Sequence, residues 1–244
     1  MKLNEFFDHI YCVNLDRRTD RWEYVSNQFI NMGIKAERFS AVDGNFCHFD
    51  QLSIVDHTKK RWFDIGDDAL TANEAAILAT HVGILWDAVA KGYKNILITE
   101  DDVVIRKDYE EEFGKAVAEL PENWDLFYLG TLDVNKPFSP NLPFSDHLEI
   151  ARDRIGAHAM AINSKALLDF IEIINLKTKM PVDVIYSKRQ IDFQCYEMKN
   201  NIAYQYGWHT GDKGRKEIDG IGASDINDPA IFAKYLEDKY GKKD

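Results

Sequence analysis

An α/β fold built on a mainly parallel, mixed sheet is predicted by three observations. Residues 7–39 read as strand, helix and strand, the opening of a doubly wound sheet. A short apolar run, Ile96-Leu97-Ile98, ends abruptly in three acids, Glu100, Asp101 and Asp102. Strand and helix patterns then keep alternating as far as Trp208, with no internal repeat and no low-complexity tract.

The elements follow in order. Phe7 to Leu15 is a buried strand, because Ile10, Tyr11, Val13 and Leu15 are strand formers. Asn14-Leu15-Asp16-Arg17-Arg18 turns outward, and Thr19 is placed to cap a helix that stops at Gly33. Trp22, Val25, Phe29 and Met32 fall on one stripe of it. Ile34 to Phe39 is a second strand, followed by the loop Ser40-Ala41-Val42-Asp43-Gly44. Residues 45–70 are irregular, and their Lys59-Lys60-Arg61-Trp62 cluster reads as a solvated loop or as a flap over an anionic or sugar ligand.

Thr71-Ala72-Asn73-Glu74 has capping-box spacing and opens a helix to about Lys91, with Gly92 as its stop. Ile77, His81, Ile84, Leu85 and Ala88 share a face, so His81 is first of all a packed helix histidine. Residues 95–99 form the next strand. Tyr109 to Leu120 is a helix closed by Pro121, and Trp124 to Leu129 is a strand. Residues 132–150, with three prolines, read as a long loop. Ala157 to Ile162 is a strand, and Ser164 caps a helix through Ile174. Pro181-Val182-Asp183 starts a segment that is mainly helical over 184–199, and Ile202 to Trp208 returns as a strand.

Bulk properties exclude several classes. Hydrophobic residues make up 45% and charged residues 29% of 244, which supports a core and argues against disorder. A net charge of -11 argues against wholesale nucleic-acid binding. Cys12, Cys47 and Cys195 have neither zinc nor disulfide-framework spacing and read as reduced thiols. No leader peptide and no stretch of about 20 apolar residues is visible, so a cytoplasmic protein is expected, with a peripheral place at the inner membrane face as a variant. Neither G-x-G-x-x-G nor a P-loop occurs, which disfavours dinucleotide and ATPase chemistry.

The acids carry the chemistry. Carboxylates packed on one turn repel unless a cation or a proton relieves them. Asp and Glu oxygens suit hard cations such as Mn²⁺ or Mg²⁺, and two or three of them on one turn leave coordination positions open for a phosphate-bearing ligand. The plainer reading is an exposed acidic turn or a helix cap.

Several blocks resemble glycosyltransferase family 25, the lipopolysaccharide-biosynthesis and collagen-type sugar transferases. They are Ile10-Tyr11-Cys12-Val13-Asn14-Leu15-Asp16-Arg17-Arg18-Thr19-Asp20-Arg21, Arg38-Phe39-Ser40-Ala41-Val42-Asp43-Gly44, and Leu70-Thr71-Ala72-Asn73-Glu74-Ala75-Ala76 with His81 and Leu85-Trp86. The acidic element lies in Leu97 to Val103. Trp124 to Gly130, His158 to Ile162, Pro181-Val182-Asp183, His209-Thr210-Gly211-Asp212 and Ser224-Asp225-Ile226 complete an ordered set over most of the chain. Ala75 stands where the family often has glycine, and Thr80 precedes His81 where serine is usual; both changes are small and keep the helix. The histidine-containing block looks closer to the collagen-type branch than to the bacterial one.

The resemblance implies a GT-A fold in a single domain over 1–244. Residues 1–104 would form a Rossmann-like nucleotide-sugar-binding half, 105–235 an acceptor-binding half and 236–244 a charged tail. It implies an inverting hexosyltransferase that uses Mn²⁺ or Mg²⁺, a UDP-sugar donor (UDP-galactose or UDP-glucose) and a glycan, glycolipid or glycoprotein acceptor. Asp102 is expected to hold the metal, with Glu100 and Asp101 shared between the metal shell and the ribose. His209 is a candidate third ligand, or else a surface or core histidine. Asn14, Asp16, Arg17 and Asp43 are expected at the nucleotide, Arg17 against phosphate. Asp183 is expected as general base, or else as a helix cap, and Asp225 is its rival. A catalytically silent nucleotide- or glycan-binding protein of the same fold is the alternative.

Overall fold

The computed structural model describes residues 1–46, 70–132, 142–174, 179–205, 217–218 and 221–222. The chain divides into two compact units, Met1–Tyr204 and Gln205–Asp244. In the second, strands β11 (Glu217–Ile218) and β12 (Ile221–Gly222) pair antiparallel.

The first unit begins with a short helix, α1 (Leu3–Phe6), and strand β1 (His9–Asn14). Helix α2 (Thr19–Met32) follows. Thr19 is its first residue, and Arg18 takes the cap position. Gly33 ends the helix at φ 66°, a left-handed geometry that favours glycine. Of the expected stripe, Val25 and Phe29 are buried, while Trp22 and Met32 pack against the core from its edge. Strand β2 (Glu37–Ser40) follows.

Helix α3 (Ala72–Lys91) has the expected capping box. Thr71 Oγ1 accepts from the Glu74 amide at 3.1 Å, and the Glu74 carboxylate accepts from the Thr71 amide at 2.7 Å. Gly92 closes it at φ 70°. His81, Ile84, Leu85 and Ala88 are buried as the periodicity predicts, but Ile77, one turn earlier, is 42% exposed at the rim.

Strand β3 (Asn95–Glu100) leads through the acidic turn into β4 (Val103–Ile105) and helix α4 (Tyr109–Glu119). Strand β5 is Leu126–Tyr128. The segment expected as a long loop contains a hairpin, β6 (Leu142–Pro143) with β7 (Leu148–Ile150). Pro143 lies in the outermost strand, where a missing amide does least harm. Strand β8 (Ala159–Asn163) precedes helix α5 (Ser164–Ile173), which Asn163 caps through its side chain rather than Ser164. Helix α6 is Val182–Arg189, and β9 (Cys195–Met198) and β10 (Ala203–Gln205) follow.

The expected helix over 184–199 therefore stops at Arg189. Residues 195–198 are instead a fully buried strand between β5 and β7. Its sheet partners lie far away in sequence, and helical periodicity does not report them.

The main sheet has the order β2-β1-β3-β8-β5-β9-β7-β6. Strands β2, β1 and β3 are parallel, β8 is antiparallel to both of its neighbours, and β5 and β9 are parallel to each other. This is the mainly parallel mixed sheet expected. Strands β10 and β4 pair separately.

Two cores cover the faces. One holds Val25 and Phe29 of α2 with Phe113 and Ala116 of α4. The other holds Leu78, Ile84 and Leu85 of α3, Leu167 and Phe170 of α5, and Ile185 and Tyr186 of α6. Strand parity follows: Ile10, Cys12 and Leu97 face α2, while Tyr11, Ile96 and Ile98 face α3. Cys12 and Cys195 are buried free thiols; Cys47 lies outside the described residues.

Candidate functional site

The chain leaves β1 through α2 to one side, reaching β2, and then crosses through α3 on the other face to β3. The strand order thus reverses between β1 and β3. In open α/β sheets, ligands bind at the carboxyl ends of strands where this reversal opens a crevice. Asn14 ends β1 and Glu100 ends β3 at that point.

Parity sends Glu100 and Asp101 to opposite sides, while Asp102 keeps its Oδ2 4.0 Å from Arg21 Nη1 of α2. Asp101 continues the row of Leu97 and Thr99 toward α2. Its Oδ1 accepts from Arg21 Nη1 at 2.9 Å, and its Oδ2 accepts from Asn14 Nδ2 at 2.6 Å. Asn14 is itself buried; its Oδ1 accepts from Arg38 Nε at 2.9 Å, and Nδ2 also donates to the Arg18 carbonyl. Glu100 continues the row of Ile96 and Ile98 toward the α3 and α6 face. Its carboxyl is pushed well above the usual range by burial, then by the negative charges of Asp102, Asp183 and Asp101, with Arg21 opposing.

Asp183 is the long-range member. It sits in the first turn of α6, where Pro181, not Asp183, holds the cap position. Its Oδ1 accepts from the Val184 amide at 2.9 Å. Burial raises its carboxyl above the ordinary value; the Val184 amide opposes this, and the charge of Glu74 adds to it. Glu74 is thus both half of the α3 capping box and an electrostatic neighbour of Asp183.

The loops after β1 and β2 lie beside this group. Arg17 Nε donates to Asp43 Oδ2 at 2.6 Å. Burial would raise Asp43, but the Asn45 amide and Arg17 outweigh it and hold the carboxyl below its usual value. Ser40 Oγ donates to Asp16 Oδ2 at 2.7 Å, and Arg38 lies 3.5 Å from the same carboxylate. Thr80 Oγ1 accepts from the Val42 amide at 2.9 Å and fastens the second loop to α3.

Asn14, Asp16, Arg17, Asp43, Glu100, Asp101, Asp102 and Asp183 are therefore gathered at the carboxyl ends of the strands around the order reversal. His209 and Asp225 lie outside the described residues, as does the Lys59-Lys60-Arg61-Trp62 cluster. The sequence reading assigned no role to Arg21 or Arg38 and saw Glu74 only as a cap. Arg21 could have been found by its place in the first turn of α2, directly above the end of β1. Glu74 could not, because its neighbour Asp183 is far along the chain.

His81 is a core residue. It is 1% exposed, it faces the Tyr186 hydroxyl at 3.4 Å, and burial pushes its ring down to about 4.

The donor chemistry of the site suits a divalent cation. Glu100 is raised first by burial and then by three neighbouring carboxylates, a charge arrangement that a hard cation would relieve, and carboxylate oxygens are the donors such a cation takes. Among the described residues no group of three or more His, Cys, Asp or Glu side chains is placed to hold a metal ion.

Comparison with known proteins agrees with the blocks in the sequence. The model of glycosyltransferase family 25 (LPS biosynthesis protein) matches residues 7–186, and the chain belongs to that family. A glycosyltransferase 25 family member of Drosophila melanogaster is 27% identical over 183 residues, 72% of this chain and 29% of that protein. Procollagen galactosyltransferase 1 of Danio rerio is 24% identical over 197 residues, 76% of this chain and 32% of that one. The inactive glycosyltransferase 25 family member 3 of Homo sapiens is 28% identical over 134 residues, 53% of this chain and 22% of that protein. The chain thus spans about a third or less of the length of these curated relatives. Among solved structures, a glycosyltransferase involved in glycosylation of the PBCV-1 major capsid aligns at TM-score 0.40 and 10% identity, covering 75% of this chain and 74% of that one.

Proposed function

We propose that this chain is an inverting, metal-dependent hexosyltransferase that moves galactose or glucose from a UDP-sugar to a glycan, glycolipid or hydroxylated protein acceptor. The observation that supports it most is the convergence of Glu100, Asp102 and Asp183 from two distant stretches of sequence at the strand-order reversal, in a chain of this family. Glu100 and Asp102 would hold Mn²⁺ or Mg²⁺, with His209 as a further donor. Such an ion, when bound, neutralises charge on a departing diphosphate.

The protein groups supply the rest. Arg17, in the loop after β1, and Arg38, on β2, would meet the phosphates, and Asp43 and Asp16 the ribose or base. Inversion requires a single in-line displacement, in which a carboxylate takes the proton from the acceptor hydroxyl while the diphosphate leaves from the opposite face. Asp183 suits that part: burial and Glu74 raise its carboxyl, and a raised pKa makes the anion a stronger base. Asp225 is the alternative base.

A second reading is a silent nucleotide- or glycan-binding protein of the same fold. It is favoured by the names of several similar mammalian relatives, described as inactive or probable inactive. A screen of UDP-sugars for UDP release with and without Mn²⁺ separates the two. Metal-dependent release supports the transferase. Tight UDP-sugar binding without turnover, on any acceptor class, supports the silent protein.

A further inference from the structure

Asp101 is the middle acid of the turn, and its two carboxylate oxygens both receive protein donors: Arg21 at 2.9 Å and Asn14 at 2.6 Å. The partner that ties it to the sheet is unusual for a loop motif. Asn14 is 1% exposed, lies on β1 rather than in the loop, and has both ends of its amide engaged. Its carbonyl oxygen takes Arg38 Nε from β2, and its amino group donates to Asp101 and to the Arg18 carbonyl. Arg38 in turn lies 5.4 Å from the centre of the Trp22 ring of α2, which limits its swing. One buried amide thus joins three neighbouring strands at their carboxyl ends.

We propose that Asn14 is a positioning residue for the acidic turn, not a nucleotide contact, and that through it Asp101 serves as an anchor while the cation-facing oxygens come from Glu100 and Asp102. The inference rests on the metal-dependent reading above. Its physical basis is geometric: Asp101 is tied to α2 and β1, Glu100 ends β3 on the opposite face, and Asp102 follows in the same turn with its Oδ2 4.0 Å from the Arg21 guanidinium, so holding Asp101 holds the carboxylates on either side of it. A buried amide aimed at a carboxylate fixes direction better than a solvated cation does, because its two ends are chemically distinct and both are satisfied. Without it the turn keeps its charges but loses their orientation.

The test is a Mn²⁺ binding isotherm, followed by electron paramagnetic resonance on the full chain, for wild type, Asn14→Leu, Asp101→Asn, the double variant and Asp102→Asn. Folding of each is checked by circular dichroism. The expected result is that N14L and D101N each weaken Mn²⁺ about tenfold, that the double variant is no weaker than either single one, and that D102N loses detectable binding. Excess Mn²⁺ should restore kcat in N14L, which a merely structural lesion would not allow. A folded N14L that binds Mn²⁺ as wild type does overturns the inference, as do losses that multiply in the double variant. If N14L does not fold, D101N against D102N decides: equal, complete loss makes Asp101 a ligand and overturns the inference. A wild-type protein that binds no Mn²⁺ overturns the proposed metal dependence and this inference with it, and so is told apart from failure of the inference alone.

Discussion

Asn14 Nδ2 lies 2.6 Å from Asp101 Oδ2, joining the end of the first strand to the acidic turn after the third, at the place where the strand order reverses. That bond anchors the middle acid of the turn, with Glu100 on the opposite face of β3 and Asp102 4.0 Å from the Arg21 guanidinium that also holds Asp101.

Asp102→Ala should abolish metal-dependent UDP release while leaving the unfolding midpoint close to that of wild type, since it removes one of several mutually repelling carboxylates. Chelation by EDTA should mimic it in wild type, with recovery on adding Mn²⁺. Activity retained by the variant would sink the assignment of Asp102.

Glu74→Gln keeps a capping-box side chain, because glutamine can take the same position, but removes a charge that adds to burial in raising Asp183. With Asp183 as the base, its anion is the active form. Lowering its pKa should move the acid limb of the pH–kcat profile to lower pH. An unmoved acid limb would argue that another group limits the rate there.

Arg154 and Glu197 form a buried ion pair in the same unit. The guanidinium of Arg154 donates to Glu197, Thr131 Oγ1 donates to the other carboxylate oxygen at 2.9 Å, and Gln190 bridges the Arg154 backbone to the Tyr128 hydroxyl. Removing one partner strands the other charge. Arg154→Ala should destabilise by about 3 kcal/mol or more, and the apolar double variant Arg154→Met with Glu197→Leu by less. Urea denaturation of the three proteins measures both; a double variant less stable than the single would contradict the argument.

His81 couples stability to pH. Its ring is pushed from the ordinary 6.5 down to about 4 by burial, so the folded protein binds fewer protons than the unfolded chain between those values. The contribution is fully present above about pH 6.5 and is lost as pH falls toward 4, up to about 3 kcal/mol. His81→Gln should make the dependence of the urea midpoint shallower over that window, with His158, which burial also pushes down to about 4, supplying a slope that remains. An unchanged slope would mean that the ring is protonated in the folded state.

Much of the architecture was legible because it is local. Thr71-Ala72-Asn73-Glu74 announces a helix start, Gly33 and Gly92 announce helix stops, and Ile96-Leu97-Ile98 with its acids announces a buried strand opening into a site. Each of these signals lies within one or two turns of chain. The β6–β7 hairpin and strand β9 were not legible, since a strand of two to four residues is defined by partners that pair with it from elsewhere.

By itself the sequence determined the residue types, the family blocks and the two periodicities, and therefore the β-α-β opening and the acidic turn. Only the tertiary structure decided which of the adjacent acids does what. Neighbours in sequence point to opposite faces of a strand, so Asp101 meets Asn14 and Arg21 while Glu100 feels the charge of Asp183. It likewise decided that Asn14 is internal and that Glu74 stands beside Asp183. Those relationships depend on packing two helices against opposite faces of one sheet, and no short stretch of chain contains that information.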